Sequence, residues 1–188
     1  MSDILRARRV LAGTGWRACG ASGRQLEPSD LLELQELAIG DRHFAWERTE
    51  QTPDYYAKLL EFRISHYERY GFGVHGVWQA GHLVGQCGLQ VLDASDDLVE
   101  LVMFLGRAYR GQGLGACLGS HLIRGACEAG LTAVYGVVRP ENEGGRGLML
   151  KLGAKKVGHR HHFGEEADLF AIAIGGGGSN ADMPCGSV

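Results

Sequence analysis

No run of this 188-residue chain is apolar for long enough to span a bilayer, and no Cys-x-x-Cys pair occurs. The first absence argues against a membrane helix. The second removes the usual signals of a zinc knuckle or a dithiol redox centre, so no metal is expected. The basic opening, MSDILRARRVLAGTGW, lacks the apolar core of a signal peptide, and a cytoplasmic location is expected. Excess positive charge is missing as well. The formal net charge is −3, which implies no general attraction to nucleic acid or to an anionic membrane. No internal repeat of solenoid length is visible. The five cysteines, at wide spacings, read as reduced and mostly buried thiols.

What is present suits one globular domain. The chain is 45% hydrophobic and 22% charged, enough for a sizeable core. Residues 175–188, GGGGSNADMPCGSV, have the composition of a flexible Gly/Ser-rich tail, so the domain is expected over 1–174. Pro28-Ser29-Asp30 precedes a short amphipathic helix, LLELQELA, and Thr52-Pro53-Asp54 starts a second with leucines and aromatics at helical spacing. Two β-rich runs broken at Ala80-Gly81 read as a hairpin. LVELVMFL is then a nearly continuous apolar strand, followed by a helix from Gly113 to Gly130, a strand LTAVYGVV, a helix from Glu143 to Leu152 and two closing strands. One strand is expected in the first 25 residues. The order predicts an α/β fold: a mixed, mostly antiparallel sheet of about six to seven strands with helices on both faces.

Between that apolar strand and its helix lies YRGQGLG, Tyr109 to Gly115, with three glycines in five positions. Free amides at a helix N-terminus, together with the helix dipole, attract an anion, and glycine lets phosphate oxygens reach the main chain. Arg110 adds a positive charge, and the site asks for a diphosphate. A nucleotide-triphosphate loop is excluded because Gly115 is followed by Ala116-Cys117, not by Lys-Ser/Thr. Gly111, Gly113 and Ala116 satisfy the dinucleotide pattern, and Arg139 ends the next strand, where a 2′-phosphate could be met. However, the strand ends at Leu105, well before Gly111, and too little chain follows for a doubly wound sheet.

Arg110-x-x-Gly113-x-Gly115 resembles the Q/R-x-x-G-x-G/A signature of the GNAT superfamily of acyl-CoA N-acyltransferases. FLGRAYRGQGLG looks like the family's strand-to-loop run, with Arg107 where proline is common. RPENEGGRGLMLKLGA is similar to its N-x-x-S…K-L-G-F segment, with Asn142, Lys151, Leu152 and Gly153 in register. The resemblance spans about residues 71–174. The hairpin GFGVHGVWQAGHLVGQCGL is most similar to the Rim-type branch, which acetylates ribosomal-protein N-termini.

The resemblance implies acetyl-CoA as cosubstrate. Its pyrophosphate would lie on the amides of Gly111, Gln112, Gly113, Leu114, Gly115 and Ala116, beside Arg110. Its pantetheine arm would pair with the strand at Met103, Phe104 and Leu105 like an added strand, with Asn142 on the other side. The acceptor would be a primary amine, a peptide N-terminus or a small molecule, attacking directly in a ternary complex. A strand N–H near Leu105 would serve the oxyanion. Glu100 is the candidate base. It is the only charged residue from Leu98 to Leu105 and shares a face with Val102 and Phe104, so desolvation should raise its pKa. Its position also matches the base glutamate of histone-type members. Two positions depart from the family. Met149 stands where many relatives carry the tyrosine acid, and Val137 where some Rim-type relatives carry a base glutamate. Gly145 also replaces the usual serine. Water or Tyr135 would then supply the proton. A CoA-binding regulatory module and, more distantly, an NADP-binding oxidoreductase remain as other readings; the acceptor and the oligomeric state are not legible.

Other residues invite notice. His159 and His161 share a strand face and read as a solvated or substrate-lining strand. His121 reads as a half-buried histidine on the glycine-loop helix. Lys151, Lys155, Lys156 and Arg160 form a basic run. Tyr55, Tyr56, Phe62, Tyr67 and Tyr70 are mostly core at helical spacing, their outer members facing the acceptor cleft.

Overall fold

The computed structural model describes residues 1–10, 13, 15–39, 41, 44 and 52–174, so the expected tail over 175–188 lies outside the described residues. The chain starts with helix α1 (Asp3–Val10) and a tight hairpin, β1 (Gly15–Ala18) and β2 (Ala21–Gln25). A helix and two strands therefore replace the single strand expected here. The hairpin turns through Cys19 and Gly20, both at positive φ; cysteine gives no turn signal, and β1 is only four residues long.

A 3-10 turn at Pro28–Asp30 leads into α2 (Leu31–Ala38). The long α3 (Pro53–Tyr70) opens where Thr52 Oγ1 accepts from the Tyr55 amide at 3.3 Å, and it closes on Gly71 at φ +77°. β3 (Val74–Gln79) and β4 (His82–Asp93) form the expected hairpin, with Ala80 and Gly81 both at positive φ. The remainder runs β5 (Leu98–Leu105), α4 (Leu114–Glu128), β6 (Ala133–Val138), α5 (Glu143–Lys151), β7 (Lys155–His162) and β8 (Glu165–Ala173).

Among the described residues eight strands form one sheet in the order β1-β2-β3-β4-β5-β6-β8-β7. Neighbours are antiparallel except β5 and β6, which run parallel and share a single register pair, Glu100 with Tyr135. Alternation along β5 divides the core. Val99, Leu101 and Leu105 pack with Leu118 and Leu122 of α4, Met149 of α5 and Ala7 of α1. Phe104 joins Leu34, Tyr56 and Leu60 of α2 and α3 on the opposite face. Among the described residues no helix is long and apolar enough to cross a membrane.

The all-thiol expectation is corrected at one pair. Cys19, in the β1–β2 turn, is disulfide-bonded to Cys117 in the first turn of α4, their Cα atoms 6.0 Å apart. They are 98 residues apart in sequence and meet only because the hairpin folds back onto α4. Cys87 is a buried thiol.

Candidate active site

The glycine turn begins beyond the end of β5. Arg107–Tyr109 make one 3-10 turn, and Gly111 and Gly113 follow at φ +73° and +84°. A Cβ on either would meet nothing within 4 Å. Backbone conformation, not room, demands glycine at both. Gly113 is the N-cap of α4; its carbonyl accepts from the Cys117 amide at 3.1 Å, and no side chain caps the helix. The amides of Leu114, Gly115 and Ala116 therefore sit in the first turn of a helix that leaves its leading donors to an outside partner. Gly115 is helical, and a Cβ there would make ordinary contact, 3.5 Å from Leu105 Cδ1.

Two side chains brace the turn. Gln112 Nε2 donates to the Ala108 carbonyl at 2.6 Å. Arg110 Nε donates to the Leu105 carbonyl at 2.7 Å, and the same guanidinium pairs with the buried Asp41. Its charge is thus matched within the protein, and Arg110 ties the turn to the end of β5.

Past Glu100 and Tyr135 the strands β5 and β6 part. The opening is a cleft of about 510 Å³, lined from β5 by Glu100, Val102, Met103 and Phe104, from β6 by Gly136 to Val138, from α5 by Gly145, Leu148 and Met149, and from α3 by residues that include Arg63. Asn142 lines it too, whereas Leu105 turns into the core on the α4 face. The volume lies within the range of small-molecule sites.

Glu100 is only 4% exposed. Its Oε2 accepts from Gln90 Nε2 at 2.9 Å, and Gln90 Oε1 accepts in turn from Arg63. Burial raises the Glu100 pKa above the usual carboxylate range; the Gln90 hydrogen bond, the Arg63 charge and the Val137 backbone amide oppose that rise without cancelling it. Val137 thus serves Glu100 through its main chain.

The departures at 145 and 149 have structural causes. Asn142 caps α5, its Oδ1 accepting from the Gly145 amide at 2.9 Å. A Cβ on Gly145 would lie 2.8 Å from Asn142 Nδ2 and 3.0 Å from Val138 Cγ1, so a serine does not fit without a shift. Met149 fills the hollow left by Gly136, where a Cβ would come 2.5 Å from Met149 Cε. Tyr135 is the register partner of Glu100 but does not line the cleft. His159 lies 3.3 Å from Asp168 and His161 2.6 Å from Glu166; Lys156 pairs with Asp168 at 2.7 Å.

Sequence reasoning missed Gln86, which lines the cleft from β4, and Gln90 and Arg63 beside Glu100. The signal was present in β4, where two polar residues interrupt an apolar strand on one face, the same sign that marks Glu100. Arg63 was hidden among the aromatic positions of α3.

A central pair of strands that parts beside a glycine turn, flanked by antiparallel arms, defines an acetyltransferase-type fold. Residues 24–155 match the family described as "Acetyltransferase (GNAT) domain". The chain belongs to that family and is an acyltransferase. Solved structures agree on the fold. A protein from Bordetella pertussis assigned to the GnaT acetyltransferase family superposes with a TM-score of 0.73 at 17% identity, covering 86% of this chain and 100% of that one. The ribosomal-protein-S5-alanine acetyltransferase from Vibrio fischeri gives 0.67 at 14% identity, covering 87% and 98%. The microcin C7 self-immunity acetyltransferase MccE, solved with acetyl-CoA and AMP, gives 0.69 at 12% identity, covering 82% and 93%. Among curated proteins none matches the chain.

Proposed function

We propose that the protein transfers an acetyl group from acetyl-CoA to a primary amine by direct attack in a ternary complex, with Glu100 as general base. The observation that carries this reading is a buried carboxylate of raised pKa at the point where β5 and β6 part. A base poised above the ordinary carboxylate range takes a proton from an amine more readily at neutral pH.

The remaining roles follow from position. The diphosphate rests on the amides of Gly111 to Ala116. The pantetheine arm runs along β5 at Met103, Phe104 and Leu105, whose edge toward β6 has no register partner beyond Glu100. Asn142 meets it with Nδ2, since Oδ1 is committed to the helix cap. A strand amide near Leu105 receives the oxyanion. Water protonates the departing thiolate, because Met149 is apolar and Tyr135 lies off the cleft. Cys87 does not serve as a covalent relay: burial pushes its thiol up to about 12, and its side chain belongs to the core on the α4 face. MccE supports acetyl-CoA as donor, and the S5-alanine enzyme supports a protein alanine as one acceptor class. A cytoplasmic setting fits the use of acetyl-CoA, whereas the Cys19–Cys117 bond forms under oxidising conditions.

Calorimetric titration with acetyl-CoA, CoA and NADP tests the cosubstrate, and product masses from an amine and peptide panel test transfer. Glu100→Gln should lower turnover by about 10²–10⁴-fold while acetyl-CoA affinity stays nearly unchanged. Equal turnover removes Glu100 from the mechanism; tight binding of NADP alone ends the reading.

A further inference from the structure

The cleft is lined by three permanent cations, and two are matched by carboxylates. Lys58 pairs with Asp54 at 2.7 Å, and Arg139 pairs with Glu165 at 3.0 Å. Arg63 differs. Its guanidinium donates to the neutral Oε1 of Gln90 and lies 5.6 Å from the centre of the Phe62 ring. Its Nε is closed off from solvent with no hydrogen-bond partner, and among the described residues no carboxylate pairs with it. Burial lowers its pKa to about 10, so it stays charged at neutral pH. Its nearest counter-charge, Glu100, acts on it only across Gln90; a cation desolvated without a carboxylate in contact gains from one that docks, and the guanidinium fork is shaped for a carboxylate.

The geometry also places that missing charge. One carboxamide, that of Gln90, bridges Arg63 to Glu100. Two hydrogen bonds and the width of a carboxamide put the two charged groups within about 8 Å of one another. An amine hydrogen-bonded to Glu100 and an anion hydrogen-bonded to Arg63 each take about 3 Å of that span. What is left suits the one or two carbons that separate nitrogen from carboxylate in an amino acid.

We propose that the acceptor is an α- or β-amino acid with a free carboxylate, and that Arg63 is the residue selecting it. The proposal rests on acetyl transfer at Glu100. In the transfer the nitrogen–carbon bond forms as the carbon–sulfur bond breaks; the amine gives one proton to Glu100, the CoA thiolate takes one from water, and Glu100 returns its proton to the hydroxide left behind. The carboxylate has a second effect. By matching Arg63 it relieves Glu100 of a charge that holds its pKa down, so the base strengthens when the right acceptor is seated. Polyamines and ordinary peptide N-termini lack that anion.

The test compares kcat/KM for free amino acids, their carboxamides and the corresponding simple amines, with β-alanine, β-alaninamide and a tripeptide included. At least one free acid should exceed its own amide tenfold or more. In Arg63→Met the acid-to-amide ratio should fall to about one, with an intermediate ratio in Arg63→Lys. The ratio is read within each variant, so a partial loss of folded protein or of base strength does not imitate the effect. Amides or the tripeptide reacting as well as the acids, or a ratio unchanged in Arg63→Met, overturns the assignment while leaving acetyl transfer standing. Tight acetyl-CoA binding with no acetylation of any amine brings down both.

Discussion

Gly113→Ala is the sharpest probe of the glycine turn. Gly113 sits at φ +84° and ψ −12°, the left-handed region, as the N-cap of α4. An L-residue in that conformation costs about 1–2 kcal/mol. Nothing adds to this figure, because a Cβ there meets no atom within 4 Å. The variant has two ways out. If the turn keeps its shape, the free protein loses about 1–2 kcal/mol, or roughly 2–8 °C of melting temperature for a domain of this size. If the turn relaxes, its amides leave the diphosphate, and acetyl-CoA binds about 5–30-fold more weakly. Stability loss and affinity loss then sum to about the same 1–2 kcal/mol by either route, which urea unfolding with and without saturating acetyl-CoA, combined with calorimetry, can measure. Gly115→Ala is the internal control. That residue is helical with 3.5 Å of clearance, so alanine should gain about 0.5–1 kcal/mol and leave binding intact. Unchanged stability and affinity in Gly113→Ala, or equal damage in Gly115→Ala, would refute the assignment of the turn.

Because Glu100 must be ionised to accept a proton and its pKa is raised, kcat/KM should climb with pH through a limb above the ordinary carboxylate range; Glu100→Gln should flatten that limb, and a limb that persists in the variant would point to another base. Cys19→Ser should lower stability in urea by about 2–5 kcal/mol relative to the oxidised protein, as expected for a bond closing so long a loop; equal midpoints would show that the pair is not joined in solution. Gly145→Ser should cost about 1 kcal/mol by crowding the Asn142 cap, read as a lower melting temperature, and an unshifted midpoint would show that the cap yields without loss.

Much of the fold was legible because its elements are punctuated by strong local signals. Thr52-Pro53, Ala80-Gly81 and Gly111 to Gly115 each mark a boundary through backbone chemistry that neighbouring packing does not override. The N-terminal hairpin was not legible, since its turn uses Cys19 in a conformation usually left to glycine. For the site, Glu100 stood out as a charge in an apolar strand, and the structure buries it as alternation required. Its supports did not stand out. Gln90 and Arg63 lie on separate elements, and only the pairing of β4 with β5 and the packing of α3 over them bring the three together. Arg110 shows the converse case: its place in the motif suggested a phosphate contact, but its link to Asp41 depends on a residue 69 positions away.

The single register pair between β5 and β6 makes the sheet a V with Glu100 and Tyr135 at its vertex. When such a wedge widens, displacement grows with distance from the vertex. The far ends of the arms can spread around a bulky guest while the fulcrum scarcely moves. The buried Glu100 carboxylate occupies that fulcrum, so the group proposed to accept the proton is held still at the one place where the widening of the arms has no leverage.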